Sequence, residues 1–129
     1  MCRPIFAEFL QEAGATLKDA KLTALSQQYA ALGRQWSELA EAALPDDVPL
    51  MRSAKDLLTK RRELLHDGAA AEDVRAVWQE LGELAKQAKA QFPLSVADCA
   101  DLRAQLQQRV LALYEGEVAA QAALLTSLS

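Results

Sequence analysis

Residues 25–43 read LSQQYAALGRQWSELAEAA. Within them Leu25, Tyr29, Leu32, Trp36, Leu39 and Ala43 recur at alternating steps of four and three, which winds all six onto one face of an α-helix. A strand would need alternation every second residue, and none is present. The same rhythm returns downstream. Val74, Trp78, Leu81, Ala85, Ala88 and Phe92 keep it, and so do Cys99, Leu102, Leu106, Val110, Leu113, Glu117, Ala120, Leu124 and Leu128. A shorter run, Leu50, Ala54, Leu57, Arg61 and Leu64, carries it between them.

Composition agrees with this reading. Of 129 residues, Ala and Leu supply 48, whereas Val, Ile and Thr, the β-branched types that suit a pleated sheet, supply 11. A chain of this length, 51% hydrophobic and 25% charged, is expected to form a single helical domain over residues 1–129.

Breaks in the pattern mark the helix ends. Pro4 suits a first turn, and a short N-terminal helix is expected to run to Ala13 and stop at a left-handed Gly14. Thr16 to Asp19 resembles a capping box that opens a second helix reaching about Leu44. The prolines of Pro45-Asp46-Asp47-Val48-Pro49 resist helix, and its aspartates are placed to cap a third helix that ends near Asp67 and Gly68. The fourth helix is expected from about Ala71 to Phe92. It has Glu72 and Asp73 at its start and Lys86 and Lys89 near its end, complementing the helix dipole. Ser95 to Asp98 caps a fifth that continues to Leu128. The expected fold is all-α: an antiparallel bundle of four main helices plus a short N-terminal one. At 1.5 Å per residue the fifth helix would span roughly 50 Å and the third roughly 28 Å. Either the fifth bends at Glu115-Gly116-Glu117, or an overhang carrying Leu124, Leu125 and Leu128 packs on something else, which makes a homodimer or a neighbouring catalytic domain the expected partner.

Charge excludes several functions. A net charge of -4 gives no positive field for nucleic acid or anionic lipid. No apolar run approaches the roughly 18 residues of a membrane span, and the opening MCRPIFAE has no secretory segment. Two cysteines, Cys2 and Cys99, make no disulfide framework, so the expected location is the cytoplasm.

Few residues are equipped for chemistry. Glu63 and His66, three apart, share a helix face as one half of a di-iron carboxylate site would, but the second half is missing and His66 also suits a helix end. Cys99 lies on an apolar stripe, where a thiol is a small core residue and not a nucleophile for His66 to activate. No metal, cofactor or catalytic residue is therefore assigned, and no enzyme is expected. Lys60-Arg61-Arg62, with Arg52 and Lys55 upstream, is flanked by Asp56, Glu63 and Asp67 and reads as a solvated face. Arg61 and Glu117 each interrupt an apolar stripe. They either snorkel at its edge or, with Tyr114, line a polar pocket for a small ligand.

Arg3–Ala13 (RPIFAEFLQEA), Tyr29, Gly33–Ala40 (GRQWSELA) and Ala43–Asp46 (ALPD) are together similar to the helical C-terminal region of the butirosin-biosynthesis H-type acyltransferase family. The likeness covers about Arg3 to Leu65. In that family a papain-like N-terminal portion carries the catalytic Cys and His and moves an aminoacyl group from a carrier protein to an amine. Nothing in this chain matches that portion. The resemblance thus implies a non-catalytic interaction or assembly module, the accessory part of an aminoacyl-transferase-like system. The alternative is a small-ligand-binding bundle using Arg61, Glu117 and Tyr114.

Overall fold

The computed structural model describes residues 3–127. Over these the chain is all-α, 87% helix with no strand. Five helices follow one another: α1 (Arg3–Leu17), α2 (Ala20–Ala43), α3 (Pro49–His66), α4 (Ala71–Ala90) and α5 (Val96–Ser127). They fall into two compact units. The first comprises Met1–Ala40 with Ala104–Ser129, and the second Glu41–Arg103. Cys2 and Leu128, named above, lie outside the described residues.

Two of the expected turns differ from the structure. Gly14 does not stop α1; the helix runs on to Leu17, and the left-handed residue is Lys18, at φ 54°. The Asp19 N–H donates to the Gly14 carbonyl at 2.9 Å, the long closing bond of a Schellman turn. Thr16 is helical, so the capping box expected there is replaced by Asp19 alone, whose carboxylate accepts from the Lys21 N–H at 2.8 Å. Gly14 is needed for another reason: a Cβ there would meet the Thr23 backbone nitrogen at 3.0 Å and the Asp19 carbonyl oxygen at 3.2 Å. The glycine thus lets α1 and α2 close on each other across a two-residue link. A lysine at φ 54° is strained, and glycine is not. Lys18→Gly should raise stability by about 0.5–1 kcal/mol, the strain relieved less the extra freedom of the unfolded chain. Thermal melting at unchanged helix content checks this.

The second unit corrects its caps similarly. Val48, not an aspartate, precedes α3, with Pro49 in the first turn. Asp46 instead accepts from Lys55 at 2.8 Å, and Lys55 also pairs with Glu41 at 2.9 Å. Gly68 ends the helix as expected, at φ +67°, with the Ala69 N–H donating to the Leu64 carbonyl. Helix α4 stops at Ala90, short of Phe92: Gln91 is already extended, and Pro93 disfavours helical backbone at Phe92. Ser95 and Asp98 do form the capping box: the Asp98 N–H donates to Ser95 Oγ at 3.1 Å and the Ser95 N–H to Asp98 Oδ2 at 3.3 Å.

The core of the first unit is built by Ala7 and Leu10 of α1, Leu22, Leu25, Tyr29 and Leu32 of α2, and Leu113 and Ala120 of α5. Phe6 stands edge-on to Tyr29, with ring centroids 4.7 Å apart. In this stretch α5 is one unbroken helix. Gly116 marks no bend; a Cβ at this position would lie 2.9 Å from Leu32 Cδ2, so its missing side chain makes room for Leu32.

In the second unit α3 packs on α4. The stripe Leu50, Ala54, Leu57, Arg61 and Leu64 is half-buried along its length, and Met51 is buried. The inward line of α4 is rotated from the expected one. Val77 is its most buried residue, at 1% exposure, with Val74, Leu81, Leu84 and Ala88 half-buried; Trp78 and Phe92 face outward. Val74, Val77, Leu81, Leu84 and Ala88 step by three and four just as the expected line does, so periodicity alone does not separate the two.

Candidate functional site

Glu117 sits in the first unit at the end of a short polar chain. Its side chain, 14% exposed, accepts from Arg3 Nε at 2.7 Å and from the Trp36 indole N–H at 3.0 Å. Both donors converge on the same oxygen, Oε1, and the Arg3 guanidinium lies 6.0 Å from the Trp36 ring. The hydrogen bond from Arg3 holds the Glu117 carboxyl below the ordinary glutamate range. Burial opposes this, and Trp36 and the Arg3 charge assist it. Tyr29 titrates above its ordinary value, chiefly through burial and also through the Glu117 charge, with Arg3 opposing. Glu117 therefore belongs to a satisfied structural cluster that ties α5 to α1 and α2. The stripe tolerates it because its charge is paired.

Arg61 belongs to the second unit, where its guanidinium lies 4.6 Å over the Trp78 ring and its buried Nε has no hydrogen-bond partner among the described residues. Tyr114 is 65% exposed. Glu63 and His66 are exposed, Cys99 is a half-buried free thiol, and among the described residues no three His, Cys, Asp or Glu gather where a metal ion could be held.

Two features were not anticipated. One is a groove of about 540 Å³ between α1 and α2, bordered by Pro4, Ala7 and Gln11 on one side and Ser26, Ala30 and Gly33 on the other. Ser26 is 7% exposed. The other is the outward side of α5. Leu111, Tyr114, Val118 and Leu125 are 54%, 65%, 48% and 69% exposed, and with Ala122 they step by three, four, four and three. This second stripe lies opposite the buried line of Leu113, Ala120 and Leu124, so α5 is apolar on two faces. The signal was present in the sequence, in how few polar residues the last three turns contain.

Among the described residues no helix is long and apolar enough to cross a membrane. No curated protein and no solved structure matches the chain. Residues 2–81, more than half of its length, match the family model described as Domain of unknown function (DUF4872), and the chain belongs to that family.

Proposed function

We propose that this protein is a non-catalytic interaction module of antiparallel helices, acting as the accessory part of an aminoacyl-transferase-like assembly. The observation that carries the reading is the second apolar face of α5. Soluble monomers seldom leave a continuous apolar stripe in water, and one that runs about four turns along a helix suits another protein's helix better than a small ligand. The residues able to do chemistry point the same way. Glu117 is committed to Arg3 and Trp36.

Calorimetric titration of the chain with itself, and with a papain-like catalytic domain stripped of its own helical region, tests the reading. Association with one or both is expected, weakened at least tenfold by Tyr114→Lys at unchanged helix content. Binding of neither, or binding indifferent to Tyr114→Lys, would end it.

Ser26 favours a second reading, a small-ligand site in the groove between α1 and α2. Its hydroxyl borders the groove beside the small side chains of Ala7, Ala30 and Gly33, which suits a slender ligand offering one hydrogen-bonding group. Fragment screening by NMR, with shifts confined to this groove and lost in Ser26→Val, would support it. A screen without such shifts would remove it.

A further inference from the structure

We infer that the outward face of α5 joins a second copy of this chain, the two α5 helices running antiparallel with Val118 on the two-fold axis. The inference rests on the interaction reading above and names its partner. The argument is the symmetry of the stripe. Leu111 and Leu125 lie seven residues on either side of Val118, and Tyr114 and Ala122 lie four on either side. Reversing the helix about Val118 therefore superimposes the pattern on itself. In an antiparallel pair Leu111 meets Leu125 of the other copy, Val118 meets its twin, and Tyr114, the largest side chain of the stripe, meets Ala122, the smallest. A two-fold contact requires this kind of self-match. A parallel pair would set tyrosine against tyrosine and leave the alanines facing a void.

Area is sufficient as well. Leu111, Tyr114, Val118 and Leu125 each expose roughly half to two-thirds of their surface. At about 200 Å² for a large side chain that is on the order of 500 Å² per copy, or about 1,000 Å² for the pair. This is the threshold of a specific interface, so a micromolar dimer is expected.

The test uses the full chain with Cys2→Ser and Cys99→Ser, leaving one introduced thiol at a time. Under mild oxidation Val118→Cys should cross-link to itself at least tenfold faster than Tyr114→Cys or Ala122→Cys alone, while Tyr114→Cys mixed with Ala122→Cys should cross-link efficiently. In sedimentation the unsubstituted chain should dimerise in the micromolar range, and Val118→Glu should remain monomeric with the same circular dichroism. Self-linking of Tyr114→Cys as fast as that of Val118→Cys would overturn the antiparallel arrangement. A monomer persisting at several hundred micromolar would overturn the dimer altogether. If that monomer still bound the catalytic domain through Tyr114, the interaction reading would survive the failure of this inference.

Discussion

Gly14→Leu should destabilise the protein by about 3 kcal/mol, the upper part of the range for overpacking a well-filled contact. The first atom met by an added Cβ, Thr23 Oγ1 at 2.7 Å, belongs to a side chain that can rotate away. The next two, the Thr23 nitrogen at 3.0 Å and the Asp19 carbonyl oxygen at 3.2 Å, are backbone and cannot move without opening the α1–α2 corner. That corner also holds the Asp19 N–H to Gly14 carbonyl bond. Leucine's better helix propensity, worth less than about 1 kcal/mol, does not compensate. Urea unfolding followed by circular dichroism measures the effect, with Gly82→Leu as the control. A Cβ at Gly82 meets nothing within 4 Å, so that substitution should be neutral or slightly stabilising.

Glu117→Ala should cost about 2 kcal/mol, the usual scale for hydrogen bonds to a charged group, and should make the stability less sensitive to acid. It removes the acceptor shared by Arg3 and the Trp36 indole. The folded-state value of Glu117 is lowered, chiefly by the Arg3 hydrogen bond, relative to the ordinary glutamate value of 4.5. The group binds a proton more readily unfolded than folded in this range. Its contribution is therefore complete above pH 4.5 and is lost as pH falls through the lower folded value. Unfolding free energies at neutral pH and at successively lower pH should converge for wild type and Glu117→Ala, and Trp36 emission should shift in the variant at every pH. A constant difference down to strongly acid pH would show that the carboxylate's charge contributes nothing.

Most of the helical content was legible because periodicity and breakers agree. Leu25, Tyr29 and Leu32 are buried where their spacing places them, Gly68 is left-handed, and Ser95 and Asp98 cap each other. The misreadings share one cause: residues with two uses. Gly14 serves a close approach of helices and not a left-handed turn; Gly116, where a bend was one of two alternatives, serves a close approach too. Asp46 finds a lysine and not a helix start. On α4 the Val77 and Trp78 lines have equal period, and only the packing of α3 decides between them. The candidate site was less legible still. Glu117 was visible as a charge in an apolar stripe, but its partners Arg3 and Trp36 are 114 and 81 residues away in sequence, and no local pattern encodes them. The outward stripe of α5 is legible only in part, at Leu125, because it overlaps the buried one on the same short segment and each reads as the other's flank.

The central claim is that the two apolar faces of α5 have different jobs, one holding the fold together and the other holding a partner. Adjacent residues separate them: Leu113 is 3% exposed and Tyr114 is 65% exposed. Thermal melting of Leu113→Lys beside Tyr114→Lys, both at low micromolar concentration, is the most direct test. Leu113→Lys should lose its cooperative transition, because an unpaired ammonium is forced into the core, whereas Tyr114→Lys should melt within a few degrees of the unsubstituted chain. Equal loss in both variants, or equal tolerance of both, would contradict the claim.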